Sequence, residues 1–513
     1  MTPPTRPSIT LPQGQVRGVR IDQPLPQPID AFLGVPYGLL PTGDRRFRPP
    51  VKVPDSKHII EASQYGYATP GKALLSGGLD LEQSEDWLTV NVFRPAGIEG
   101  KVPVAIYLHG GAFNRGAAAM HDTASMVGWS EAPFVAVSFG YRIGALGFLP
   151  SSVSKEEGIL NLGLRDQVHL FEWVRENIQR FGGDPGNVTL IGHSAGAHSV
   201  SVFVDASNAK VHEEQFQDFL REVGCPDNIS NSEIFPFLRS LPGATVIKAQ
   251  TAVFDKYNPS LRWPFQPVID GDIISRKPLE AWKSKLWYKI PIMTGFNNNE
   301  GSLYVDKKMS QSSQFRAFWR TFLPELSPSD LDTIERLYPD PNIDYTSPYT
   351  ETKEGLGSQY SRIEAAYGHY VYVAPVRQTA HFASSQGSPV YLYHWAFPRT
   401  TLGASHADNM YYETYNKSIT DISEFQRELS GTLHAYLTSF ITTGDPNALR
   451  HRYPHRPPWT PFKPDKAKAM IFGDGNDESI GDTMGPIARF VEDDWARAET
   501  EFWWSKTDIS QLT

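Results

Sequence analysis

The clearest hydrophobic signal in the chain is Val188-Thr-Leu-Ile191, which runs without a polar break into Gly192-His-Ser-Ala-Gly196 and a small-residue stretch to Ser199. Val104–Leu108 and Pro133–Ser138 are similar continuous apolar runs bounded by turn residues, the pattern of strands buried on both faces. Thr89–Phe93 alternates like a strand, Gly14–Val19 reads as a hairpin-like alternation and Phe32–Gly38 as extended chain. Between Ser138 and Val188 the period changes. Leu164, Val168, Phe171, Val174, Ile178 and Phe181 recur every three or four residues, which predicts one apolar helical face. Arg165, Asp166, Glu172, Arg175 and Glu176 fall on the opposite face, and Gly182–Gly186 stops the helix. Strand, helix, strand, sharp turn, helix is the rhythm of a parallel sheet covered on both sides.

Further strands are expected at Pro267–Asp270, Ile290–Thr294 and Pro389–Trp395, with helices near 311–323, 358–384 and 422–442. No internal repeat or low-complexity linker divides the chain. The pattern predicts one α/β domain over residues 1–513, with a large, mostly parallel central sheet, helices on both faces and helical insertions capping the site.

Composition narrows the function. The 513 residues carry a net charge of −9, spread without long runs, so nucleic acid is not an expected partner. No stretch approaches the ~18 continuous apolar residues of a membrane span. The single cysteine, Cys225, excludes an intrachain disulfide, and Met1-Thr-Pro-Pro has no signal-peptide pattern; both predict a cytoplasmic setting. Neither cofactor nor metal is expected, because no Walker loop, dinucleotide fingerprint or zinc pattern occurs. His451 and His455 have helical ligand spacing, but Pro454 breaks the helix that would use it.

The chemistry concentrates at the sharp turn. Gly192-x-Ser194-x-Gly196 at a strand-to-helix junction is a nucleophile elbow, with tiny residues where strand and helix cross. A serine needs a base, and in such a turn the partners follow in the order acid, then histidine. Glu300, in Gly295-Phe-Asn-Asn-Asn-Glu-Gly301, and His406, in Leu402-Gly-Ala-Ser-His-Ala-Asp408, follow expected strands and fit that order. They are candidates only, since the chain has 14 histidines. Leu108-His-Gly-Gly-Ala-Phe113 turns on glycines after a buried strand, so the N–H groups of Gly111 and Ala112, with that of Ala195, could bind an oxyanion. His193 is expected to line the site and His198 to pack on the elbow helix.

These residues resemble the type-B carboxylesterase and cholinesterase-like family of α/β-hydrolases. The landmarks occur in order from Gly14 to about Trp459: Phe32-Leu-Gly-Val-Pro-Tyr-Gly, Ser84-Glu-Asp-Trp-Leu-Thr-Val-Asn-Val, His109-Gly-Gly-Ala-Phe, Tyr141-Arg-Ile-Gly-Ala-Leu-Gly-Phe, Asn161-Leu-Gly-Leu-Arg-Asp-Gln, Phe181-Gly-Gly-Asp-Pro, the elbow, Pro267-Val-Ile-Asp-Gly, Asn299-Glu-Gly and Thr443-Gly-Asp-Pro-Asn. The resemblance implies an α/β-hydrolase fold, a Ser194, Glu300, His406 triad, and an oxyanion hole of Gly111, Ala112 and Ala195. The expected reaction is hydrolysis of a small-molecule carboxylic ester through an acyl-enzyme. Two alternatives stand beside it: a transacylase or lactone-opening enzyme, and a cholinesterase-like binding protein without turnover. Substrate identity and oligomeric state stay open.

Four departures carry their own implications. Where Trp87 stands the family usually has a cysteine, paired with one near Thr69. Cys225 is kept, but Phe237 replaces its implied partner. His193 replaces the usual Glu, removing a negative charge beside the serine. Finally, Asp205-Ala-Ser-Asn-Ala-Lys-Val-His-Glu-Glu214 leads almost directly to Phe216 and Cys225. The resemblance therefore implies a deletion around 205–216 that includes one central strand.

Overall fold

The computed structural model describes residues 6–75, 77–85, 87–201, 209–481 and 485–510. Its strands are β1 (Ser8–Leu11), β2 (Gly14–Arg17), β3 (Val19–Ile21), β4 (Ile29–Pro36), β5 (Ile59–Glu61), β6 (Thr89–Pro95) and β7 (Val102–Leu108). They continue with β8 (Val135–Phe139), β9 (Gly183–Gly192), β10 (Ile292–Asn297), β11 (Val390–Trp395), β12 (Lys468–Phe472) and β13 (Ala488–Glu492).

The apolar runs form the middle of the sheets because only buried strands can hide both faces. One sheet has the order β3-β4-β6-β8-β7-β9 and a second the order β10-β11-β12-β13; a small sheet, β1-β2-β5, lies apart. Pairing is parallel across β8-β7-β9 and across β10-β11-β12, and antiparallel toward the outer edges. This is the α/β-hydrolase arrangement, with the elbow at the C-terminal end of β9. Among the described residues no strand pairs with the free edge of β9 or of β10. Val188 and Leu190 of β9 are accordingly 38% and 37% exposed. The helix Glu424–Thr443 spans the break. Its Ile441 shares an apolar cluster with Ala105 of β7, while Leu433 and Phe440 share another with Trp395 of β11, where the Phe440 ring meets that of Tyr391 at 6.0 Å. Of the expected deletion around 205–216, residues 205–208 lie outside the described residues; 209–216 belong to the helix Ala209–Glu222.

Two expectations are corrected. The helix Leu162–Asn177 forms, but Val168 is exposed, and Asp166, assigned to the solvent face, is fully buried. Its carboxylate accepts from Arg142 Nε at 2.8 Å and Nη2 at 2.7 Å, and from the Arg142 backbone N–H at 3.0 Å. A buried carboxylate is tolerated because its partner supplies this many donors. Second, Pro267–Asp270 is not a strand. The side chain of Asn161 holds both backbone groups of Val268, accepting from its N–H at 2.9 Å and donating to its carbonyl at 2.7 Å. No neighbouring strand is then needed to satisfy them.

Candidate active site

The elbow is built by close approach. A Cβ on Gly192 would lie 2.4 Å from the carbonyl oxygen of Gly196, and one on Gly196 2.0 Å from that of Leu108, so neither position admits a side chain. Ser194 is held at φ +54°, a left-handed conformation that costs a non-glycine residue of order 1–3 kcal/mol. The helix Ala195–Ser201 begins immediately after it.

Glu300 and His406 are brought to the same place by the loops after β10 and β11. The side chain of Asn297 donates to the Ser405 carbonyl at 2.7 Å, and the hydroxyl of Ser302 to that of Ser405 at 2.9 Å. Asn299 completes the junction: its N–H donates to the Ala404 carbonyl at 2.9 Å, and its side-chain oxygen accepts from Ala404 N–H at 3.1 Å. Glu300 is buried and uses both oxygens. Oε1 accepts from the Asn297 N–H at 2.7 Å, and Oε2 accepts from His406 Nδ1 at 2.5 Å. With Nδ1 donating to a carboxylate, the other ring nitrogen is the free base. His406 Nε2 is buried and has no hydrogen-bond partner among the described residues. Ser194, His193 and His406 line one cavity of about 30 Å³, together with Gly111 and Ala112.

The turn after β7 supplies donors. Gly111, Ala112 and Phe113 all have positive φ, at +117°, +52° and +56°. The carbonyl of Ala112 is held away by the side chains of Asn114 at 2.9 Å and Gln266 at 3.1 Å. The N–H groups of Gly111 and Ala112 have no acceptor among the described residues. Ala195, first in its helix, has no preceding turn to donate to. His109 anchors the turn from below. Its ring stacks on Tyr141 with centroids 4.2 Å apart, its carbonyl accepts from the Tyr141 hydroxyl at 2.8 Å, and burial pushes its pKa down to about 4.

A larger chamber of about 230 Å³ shares Ala112 and Ser194 with the small cavity and is walled by Phe113, Phe322, Tyr367, Tyr370 and Trp503. Phe322 belongs to the helix Ser312–Phe322 and Tyr367 to the helix Tyr360–Gly368, so both helices contribute to its wall. His193 lines the small cavity as expected. His198, expected to pack on the helix, instead lines the chamber. Burial, then the nearby charge of His406, lowers the pKa of both rings, that of His198 to about 4, so both are neutral at pH 7.

Three neighbours had no motif to announce them. Tyr372 and Tyr304 flank His406, with ring centroids 4.3 and 5.6 Å away. Glu364 lies behind Glu300, buried, with Oε2 accepting from Asn299 at 3.5 Å and Oε1 unpartnered.

Comparison with known proteins agrees with this layout. Residues 5–485 match the family model described as "Carboxylesterase family". Secreted lipase 4 of Gibberella zeae is 33% identical over 530 residues, covering 96% of this chain and 91% of that protein. Lipase 1 of Geotrichum candidum is 28% identical over 487 residues, covering 82% and 84% of the two chains. The crystal structure of Aspergillus niger EstA superposes with a TM-score of 0.82 at 25% identity, covering 99% of both chains.

Proposed function

The chain belongs to the carboxylesterase family and is a serine hydrolase of carboxylic esters, and we propose that Ser194, Glu300 and His406 carry out the reaction. His406 Nε2 takes the Ser194 proton as the hydroxyl attacks the ester carbonyl. Glu300 keeps Nδ1 protonated and stabilises the imidazolium that forms. The N–H groups of Gly111, Ala112 and Ala195 bind the tetrahedral oxyanion. Proton return from His406 releases the alcohol, and a water activated by the same ring releases the acid. The observation that carries the assignment is the Glu300–His406 hydrogen bond, which leaves Nε2 unpaired in the cavity that Ser194 shares. Ser194→Ala should abolish both turnover of a chromogenic ester and labelling by a fluorophosphonate. Retained turnover would remove Ser194 from the role.

The larger chamber fits an apolar portion of the ester against Phe113, Phe322, Tyr367, Tyr370 and Trp503, with His212, Gln215 and Arg262 among its polar lining. Two similar proteins bear the name lipase, which suits that reading. Residues 1–513 are read as a single domain lacking a segment around 205–216, a reading supported by the edges of β9 and β10, which no strand pairs with among the described residues.

For location we keep the reading of an intracellular enzyme, supported by the lone Cys225. No helix among the described residues is long and apolar enough to cross a membrane. One relative is named a secreted lipase, which points the other way. Activity in the medium rather than in washed cells would overturn the intracellular reading.

A further inference from the structure

Arg115 stands in the wall of the small cavity that holds Ser194 and His406. The oxyanion turn puts it there. Its backbone N–H donates to the Gly111 carbonyl at 3.0 Å, and a Cβ on Gly111 would meet the Arg115 Cγ at 2.6 Å, so the stem of the side chain lies against the turn. One residue earlier, a Cβ on Gly110 would lie 2.9 Å from the Ser194 Cβ. Only the turn itself separates the arginine stem from the serine.

The guanidinium is under-used. Among the described residues its side chain makes one hydrogen bond, from Nη1 to the Ala73 carbonyl at 3.3 Å, and no ion pair. Nε and Nη2 have no acceptor there, yet neither is sealed from solvent, so a ligand can reach them. The Phe254 ring lies 5.3 Å from the guanidinium carbon, a contact with a face that leaves the N–H edge unused. Asp255, the carboxylate whose charge bears on Arg115, is bonded to Lys72 at 2.7 Å. Burial is accordingly the largest influence on the Arg115 pKa and lowers it. No aspartate or glutamate lines the small cavity among the described residues, and Glu300 is committed to His406 and Asn297.

The reaction decides which half of the ester meets this arginine. His406 must hand its proton to the leaving oxygen, so the alcohol portion lies beside that ring. His406 lines the small cavity and not the aromatic chamber, which leaves the chamber for the acyl portion. Leu75, in the same wall as Arg115, is 52% exposed, so a longer alcohol can run out past it. We propose that Arg115 is a specificity-determining residue that selects esters whose alcohol portion carries a carboxylate. The proposal rests on the Ser194, Glu300 and His406 reading of the site. Nε and Nη2 together offer a carboxylate two parallel donors, and such charge-assisted bonds are roughly twice as strong as neutral ones. A cationic alcohol would be repelled. A hydrocarbon one would strip water from the two donors without replacing it.

The experiment compares two esters of one acid and nearly one shape. 4-(Butyryloxy)butanoate ends its alcohol portion in a carboxylate, and 4-methylpentyl butyrate has an isopropyl group in its place. Butyrate release from each by the full-length protein is followed by NMR at pH 8, where the carboxylate is ionised. Wild type should favour the carboxylate ester at least about tenfold in kcat/KM. Arg115→Met keeps the stem against Gly111 and should lower that ratio at least about tenfold. Arg115→Lys keeps the charge without the fork and should give a ratio between the two. Thermal melts establish that each variant is folded, and the second serves if the first is not. A wild type without the preference, or a ratio that the folded variants leave unmoved, overturns this proposal alone, because both esters are still hydrolysed. Failure of the wild type to hydrolyse either ester would instead overturn the catalytic reading beneath it, and this proposal with it.

Discussion

Glu364 and Glu300 are two buried carboxyl groups on neighbouring elements, linked through Asn299, and only Glu300 has full hydrogen-bonding partners. Burial, with a smaller contribution from the Glu300 charge, pushes the Glu364 carboxyl up to about 8 from an ordinary 4.5. At pH 7 it is therefore mostly protonated. The arrangement places one charge rather than two behind His406.

This predicts a pH-dependent stability. A carboxyl with a raised folded-state pKa holds its proton more tightly folded than unfolded. Its contribution is fully present below about 4.5 and is lost as pH rises through about 8. Glu364→Gln, neutral at every pH, should match the wild type in urea unfolding at pH 4.5 and exceed it by a few kcal/mol at pH 9. A difference that does not grow with pH would show that Glu364 is not held neutral.

Glu300→Gln should preserve the fold and the size of the site but remove the charge that supports the imidazolium. The expected loss in kcat is about 10³-fold, with KM little changed, because the interaction strengthens only as His406 takes the proton. Steady-state kinetics on a chromogenic ester measure both. A loss below tenfold would remove Glu300 from the acid position.

Asp166→Ala should cost about 3–5 kcal/mol, since it strands the Arg142 guanidinium where both side chains are almost wholly excluded from water. Combining it with Arg142→Met should cost less than the single change, because no buried charge is then left unpaired. Urea midpoints of the two variants and the wild type test this. An equal or larger loss in the double variant would show that the pair is not electrostatically coupled.

Much of this was legible because the signals are local. The elbow declares itself in five residues because Gly192 and Gly196 have no room for a side chain. The buried strands read as unbroken apolar runs. Asp166 was misplaced because its partner, Arg142, lies 24 residues away and helical periodicity cannot register a buried ion pair. The strand expected at Pro267 was misread for a related reason: Asn161, 107 residues distant, satisfies that backbone instead. Tyr372, Tyr304 and Glu364 gave no warning, since tertiary packing alone brings them to His406 and Glu300.

The break between β9 and β10 yields the last prediction. Among the described residues no strand covers the edge of β9, so its N–H and C=O groups are open to pairing, and Val188 and Leu190 add exposed apolar surface to it. Such an edge is a template for pairing with another chain, and a charged side chain placed on it is an effective block, because pairing would desolvate the charge. We therefore predict self-association through this edge, and Leu190→Lys should weaken it at least about tenfold, or ~1.4 kcal/mol. Leu190 is already partly exposed, so the change should leave ester turnover near the wild-type value. Sedimentation velocity over a concentration series measures the association, and parallel activity assays show whether the site survives. Equal association of wild type and variant would show that the β9 edge does not pair with another chain.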